Sequence, residues 1–167
     1  YKAYISKETI GLYERNNVLN GKELNSRYEI KISEYVKKIQ IEARVLGDLA
    51  INHIIPTAIK YQSNLISSVK DLKVIIEDEK EFKDLAGRRI KTIKTIAEHT
   101  TAVKNLVDEM VEERKTANKI EECTKRIENY EFKVKPYLDK IRHHIDKLEL
   151  IVDDEIWPLP KYRELLF

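Results

Sequence analysis

Apolar residues recur along most of this chain at steps of three and four positions, the spacing that places side chains on one face of an α-helix. The longest run covers residues 22–76 and predicts one long helix, kinked near Pro56 because proline cannot donate to the carbonyl four residues earlier. Two further runs predict helices over 79–118 and 120–154. Residues 1–20 predict a short leading helix, and no stretch indicates a strand.

Together these elements predict an all-α fold, an elongated antiparallel bundle of three to four long helices. A helix of about 50 residues extends roughly 75 Å, which is too long for a compact ball. The chain contains only 4 Gly and 4 Pro, so few turns are expected between the helices.

The C-terminal tail, residues 155–167, is unusually apolar for a chain terminus and contains Pro158 and Pro160. We expect it to dock on the bundle or on another subunit. Residues 153–155 are acidic and oppose the dipole at the end of the last helix, so a basic group outside this run is expected to offset them. The expected tail anchors are three aromatic residues, Trp157, Tyr162 and Phe167.

The middle of the long helix, residues 45–59, is apolar on most of its circumference, which predicts a helix surrounded by other helices. Asp48, Asn52 and His53 interrupt this pattern. We interpret them as a structural polar centre with hydrogen-bond partners on a neighbouring helix, and a ligand site is the alternative. Gly47 costs about 1 kcal/mol against alanine in a helix, which indicates close approach of another backbone.

Composition excludes several classes of protein. The 31 basic and 29 acidic residues are interleaved, whereas a nucleic-acid surface needs a stripe of one sign. No apolar run approaches about 18 residues, so no membrane span is predicted, and no signal peptide is visible. Cys123 is the single cysteine, which excludes an internal disulfide and favours a cytoplasmic location.

Residue patterns with catalytic chemistry are missing from the sequence. His143 and His144 are adjacent and point about 100° apart on a helix, so they do not readily share one metal. Asp139 and His143 share a face, and a solvated pair is favoured over a metal ligand or a base. The sequence contains no Glu-x-x-His pair and no glycine-rich phosphate loop, which argues against a metal-binding bundle enzyme. We assign no catalytic, cofactor-binding or metal-binding residue.

Two long stretches carry a resemblance to a known family. Residues 37–62 read KKIQIEARVLGDLAINHIIPTAIKYQ, and residues 135–167 read KPYLDKIRHHIDKLELIVDDEIWPLPKYRELLF. Both resemble the C-terminal region of type III glutamine synthetases and occur in that family's order. Residues 107–118 match less sharply, and residues 63–105 match more weakly.

The resemblance implies a parent enzyme that joins ammonia to glutamate with ATP, through γ-glutamyl phosphate and with Mg or Mn bound in an upstream catalytic domain. It implies that residues 1–167 are a single non-catalytic C-terminal domain that supports structure or assembly. Expected partners are the upstream catalytic domain and neighbouring subunits of a homo-oligomeric ring, with no nucleic acid and no membrane. The catalytic motifs are missing and the chain has no initiator Met, so we expect an inert fragment of a longer chain. A free-standing helical protein–protein interaction module is the alternative.

Overall fold

A computed structural model describes residues 2–165, apart from the side chains of Lys2, Tyr162 and Arg163, and the regular structure of this part is entirely helical. The all-α fold predicted from the sequence is therefore confirmed. No helix within this part of the chain has the length and apolarity that a membrane span requires. The α-helices are α1 (Lys7–Arg15), α2 (Gly21–Leu49), α3 (Ile55–Ile75), α4 (Glu79–Asn118), α5 (Cys123–Asn129) and α6 (Lys135–Ile151). The shorter elements are the 3-10 helices Lys2–Ile5 and Tyr162–Leu165 and the π-helical turns Ala50–Ile54 and Tyr130–Val134.

Side-chain caps determine where the two longest helices begin. Before α2, the carboxamide oxygen of Asn20 accepts from the Glu23 amide at 2.9 Å, and the Glu23 carboxylate accepts from the Asn20 amide at 2.8 Å. This is the reciprocal arrangement of a capping box. Before α4, the carboxylate of Asp78 accepts from the amide of Glu81 at 2.9 Å. These bonds satisfy amides that have no partner inside the helix.

Each proline within a helical run follows a π-helical turn at the same distance. The turn Ala50–Ile54 ends two residues before Pro56, and the turn Tyr130–Val134 ends two residues before Pro136. The sequence predicted an irregularity near Pro56, but it did not indicate the π-helical form, nor that both prolines share it.

Hydrogen bonds in these turns reach five residues back. The amide of Ile55 donates to the carbonyl of Ala50. The amide of Lys135 donates in the same way to the carbonyl of Tyr130. Because a π-helical turn is wider than an α-helical one, it changes the hydrogen-bond register just before a residue that has no amide to donate.

The chain divides into two compact units, each with its own core. Unit 1 comprises residues 1–44 and 111–136, and unit 2 comprises residues 45–110 and 137–167. In unit 1, α2 buries one side chain per turn at steps of three and four, as expected for an amphipathic helix. These are Leu24, Tyr28, Ile32, Val36, Ile39 and Ala43.

The core of unit 2 draws on α3, α4, α6 and the first π-turn. Its fully buried side chains include Ala50, Ala58, Ala86, Ile96, Val103, Ile141 and Leu148. The spacing of apolar residues in α4 predicts burial of Ala97, but Ala97 is exposed and its neighbour Ile96 is buried instead. The larger of two neighbouring apolar side chains therefore fills the core, as the area dependence of hydrophobic burial favours.

Gly47 lies in unit 2, and its neighbours are side chains. A Cβ at this position would lie 3.6 Å from Cγ1 of Val107 and 3.7 Å from Cε of Met110, which is ordinary contact. The close approach of another backbone, expected from the sequence, is therefore wrong. A residue larger than alanine would press on Val107 and Met110, whereas a single methyl group has room.

Gly47→Ala is expected to raise the free energy of unfolding by up to about 1 kcal/mol, because alanine has the higher helix propensity. Urea unfolding followed by circular dichroism measures the change. Gly87→Ala is the matched control, since a Cβ at Gly87 meets nothing within 4 Å and should give a similar gain. A gain at Gly87 with a loss at Gly47 would contradict the available space at Gly47.

Candidate interaction surface

The predicted polar centre of the long helix lies at the protein surface. Asp48, Asn52 and His53 are all exposed, and the amide nitrogen of the Asn52 side chain donates to the Asp48 carboxylate one turn earlier. The buried positions between and beside them are Ala50 and Ile54. The expectation that the three polar residues are buried against a neighbouring helix is therefore wrong. Their polar groups are open to solvent and to partners.

Large apolar side chains of unit 2 are exposed as well. Val45 and Ile59 are about half exposed, although the sequence predicted a helix covered on nearly all sides. Around the connection between α3 and α4, Val74, Ile75 and Leu85 are exposed at 83%, 77% and 54%. We call these three residues the α3–α4 tip. Val74 and Ile75 are consecutive in the chain, and large apolar side chains exposed together are typical of a protein–protein contact.

Lys161 connects the tail to the end of α6. Its ammonium donates to the carbonyl of Glu149 at 2.7 Å and to the carbonyl of Val152 at 3.3 Å, and it also pairs with the Asp154 carboxylate. A helix leaves its last carbonyls without amide partners, and a cation is favourable at this end of the dipole. Lys161 is thus the basic group that offsets the acidic run at the helix end.

Trp157 lies in the core of unit 2, only 8% exposed. Its backbone amide donates to the carbonyl of Asp153 at 3.1 Å, and the ammonium of Lys161 lies 5.8 Å from the centre of its ring. Its indole nitrogen is buried without a hydrogen-bond partner in the described part of the chain. Of the other predicted anchors, the side chain of Tyr162 and all of Phe167 lie outside the described residues. The anchoring role of the three aromatic residues stays a prediction.

A charged network in unit 1 joins α2 to the second π-turn. The hydroxyl of Tyr35 donates to the Glu131 carboxylate, and the Lys135 ammonium donates to Tyr35 at 3.0 Å and to Glu131 at 2.8 Å. The hydrogen bond from Lys135 lowers the pKa of Glu131, and the Glu131 carboxylate in turn raises the pKa of Lys135. Both groups therefore stay charged near neutral pH, and Tyr35, whose pKa Glu131 raises, stays a donor.

A second network in unit 1 surrounds the fully buried ring of Tyr130. Its hydroxyl donates to the Asn118 side-chain oxygen at 2.6 Å and accepts from the Gln40 side-chain amide at 2.7 Å. Gln40 donates to the same oxygen of Asn118 at 2.6 Å. Gln40 and Asn118 thus satisfy the hydroxyl of the buried Tyr130, as a buried polar group requires. Both networks join elements of unit 1 that are distant in the sequence.

A histidine pair joins α4 to α6 in unit 2. The Nδ1 atoms of His99 and His144 are 2.9 Å apart, and their ring centres are separated by 5.1 Å. The exposed ring of His143 lies 5.4 Å from that of His144. Burial lowers the pKa of His144, and the imidazoles of His99 and His143 lower it further. Among residues 2–165, no group of three or more His, Cys, Asp or Glu side chains could hold a metal ion.

Known proteins match this chain along nearly its whole length. The family model described as the glutamine synthetase C-terminal domain matches residues 1–73. A glutamine synthetase of Bacteroides fragilis (strain YCH46) is 45% identical over 164 residues, which are 98% of this chain and 22% of that protein. A type-3 glutamine synthetase of Dictyostelium discoideum is 30% identical over 169 residues, covering 97% of this chain and 22% of that protein. The chain therefore spans about a fifth of the length of these relatives.

Proposed function

We propose that this chain is the non-catalytic helical domain of a type III glutamine synthetase and that it supports the structure or oligomer assembly of that enzyme. The basis is that the chain belongs to the glutamine synthetase C-terminal domain family. The parent enzyme ligates ammonia to glutamate with ATP in the cytoplasm. This activity comes from the similarity to glutamine synthetases, as does the division of labour between an upstream catalytic domain and this chain. The elongated antiparallel packing of the helices and the docking of the tail are parts of the same proposal.

The donor groups of this chain do not suit the metal of the parent reaction. Magnesium and manganese are held mainly by clustered oxygen ligands, and no such group of three occurs among the described residues. The carboxylate of Glu131 is engaged by Tyr35 and Lys135. We therefore assign ATP and Mg or Mn to the catalytic domain of the parent and derive no reaction step through this chain.

The exposure of the α3–α4 tip is the observation that carries the assembly role. Val74, Ile75 and Leu85 present apolar surface to solvent, which a protein of this size normally keeps covered or uses for contact. The chain accounts for about a fifth of its relatives' length, so the rest of the parent protein offers surfaces for the tip to contact. The proposed partners are the catalytic domain and neighbouring subunits of a homo-oligomeric ring.

In the full-length protein, the double substitution Val74→Ser and Ile75→Ser is expected to lower the particle mass measured by light scattering. The reason is that two apolar groups are removed from the contact without a change in either core. Lys80→Ser is the control, because Lys80 is exposed in the first turn of α4, close in sequence to the tip, and is polar already. An unchanged particle mass in the double variant, or an equal loss in the control, would contradict assembly through the tip.

A separate activity assay tests the non-catalytic role of the domain. The isolated 167-residue chain is assayed for glutamine formation from glutamate, ammonia and ATP, and none is expected. Turnover by the isolated chain would overturn this part of the proposal. A start codon immediately before Tyr1 in the gene would instead favour a free-standing interaction module.

A further inference from the structure

We propose that His99 and His144 form a proton-responsive contact between α4 and α6. The contact is stable while at most one of the two rings is charged, and it is broken when both rings are protonated. The two facing Nδ1 atoms lie 2.9 Å apart, which is a hydrogen-bond distance. A bond at this distance requires that one Nδ1 carry a proton and that the other present a lone pair. The contact thus depends on how many protons the pair holds.

Three protonation states follow from this geometry. With both rings neutral, one ring donates from Nδ1, and the accepting ring carries its own proton on Nε2. One added proton charges the donor at its Nε2 and leaves the Nδ1 to Nδ1 bond in place. A second added proton must go to the accepting Nδ1, which removes the only lone pair and places two positive charges face to face. The pair therefore tolerates one added proton and resists two.

No negatively charged group beside the pair stabilises a second positive charge on His144 in the described part of the chain. The groups whose charge acts on His144 are the imidazoles of His99 on α4 and His143 on α6. Among the described residues, neither those two helices nor α3 contributes a carboxylate to this interaction. Burial is the first cause that lowers the pKa of His144, and like the facing ring it disfavours the charged form of His144. The unfolded chain takes up the proton first, so stability is lost as pH falls below the ordinary value of 6.5.

The distance between the rings fits a hydrogen bond better than a shared metal ion. Two imidazoles bound to one tetrahedral zinc ion, each at about 2.0–2.1 Å, have their nitrogens roughly 3.3 Å apart. The observed 2.9 Å is shorter than this and suits an N–H···N bond. A metal site would also need further ligands, and no group of three suitable side chains is present in the described part of the chain.

The test compares urea unfolding of the purified protein at pH 7.5 and pH 5.0 in the wild type, His144→Asn and His143→Asn. Asparagine presents a polar group near the Nδ1 position but takes up no proton, so His144→Asn removes the second charge. The wild-type midpoint is expected to fall by on the order of 0.5 M more than that of His144→Asn. His143→Asn is the matched control on the same helix, because it also removes one imidazole but leaves the pair intact. Its midpoint should fall nearly as far as that of the wild type, because His143 is the smallest of the three causes that lower the pKa of His144.

A second measurement needs no variant. Proton resonances of the facing His99 and His144 rings should change in two coupled steps as the pH falls, because the charge on one ring affects the other. The proposal is overturned by equal pH dependence in wild type and His144→Asn, or by a single uncoupled step for both rings of the pair. A zinc-dependent rise of the wild-type midpoint at pH 7.5, lost in His144→Asn, would also overturn it and would identify a metal site.

Discussion

Leu148→Ala is expected to lower the free energy of unfolding by about 2–5 kcal/mol, the largest effect of any single substitution considered for this chain. The side chain of Leu148 is fully buried in unit 2. Its truncation removes apolar area from the core and leaves a cavity that the surrounding helices fill only in part. Urea unfolding at neutral pH, followed by circular dichroism, measures the loss.

Leu150→Ala is the matched control for this experiment. Leu150 lies on the same helix, two residues further on, and is 81% exposed. The two substitutions change the same atoms and the same intrinsic helix propensity, so the difference between them reports burial alone. We expect the control to stay within about 0.5 kcal/mol of the wild type. Equal effects at Leu148 and Leu150 would contradict the placement of α6 in unit 2.

Lys161→Met is the second substitution with a large expected effect, a loss of about 1.5–3 kcal/mol. The Lys161 side chain is only 11% exposed, and its ammonium serves two backbone carbonyls and one carboxylate. Methionine keeps most of the apolar stem and removes the charge. The carbonyl of Glu149 then lacks its donor, and the acids at the end of α6 lose the cation that offsets them.

Fluorescence of Trp157 follows the tail directly, because it is the only tryptophan in the chain. When the contact of Lys161 with α6 is lost, we expect the emission to shift to longer wavelength and acrylamide to quench it more strongly. The partial exposure of Asp154, 45%, keeps the expected loss in the lower part of the range. Lys147→Met, an exposed lysine on α6, is the control. Unchanged Trp157 emission in Lys161→Met would show that another contact retains the tail.

The helical character of the chain could be predicted from spacing alone, but the choice of buried face could not. In residues 45–59 the apolar side chains occur on more than one side of the helix, and the sequence suggested that all sides are covered. The structure instead buries the small side chains of Ala50 and Ala58 with Ile54 and exposes much of Val45 and Ile59. Small residues allow neighbouring helices to approach closely, and the sequence does not show which face has that neighbour.

Contacts within one helix were accessible to sequence analysis, and contacts between distant elements were not. Glu131 and Lys135 pair at a spacing of four, which the helical repeat indicates. Their partner Tyr35 is 96 residues from Glu131, and the rings of His99 and His144 are 45 residues apart. Such pairs depend on which helices pack together and in what register. The sequence shows His144 only as a neighbour of His143 and gives no signal for its partner on α4.

The two π-turns bear on how the length of this domain varies among relatives. A π-helical turn contains about one residue more than an α-helical turn, so each behaves like a helix that has accepted a one-residue insertion. Residues 50–54 and 130–134 are therefore places where a homologous chain one residue shorter would keep both flanking helices on their own neighbours. Relatives with a single-residue gap in one of these stretches are expected to have a regular α-helix there. In such relatives we expect no proline at the position that follows, because proline inside a regular α-helix removes a backbone hydrogen bond.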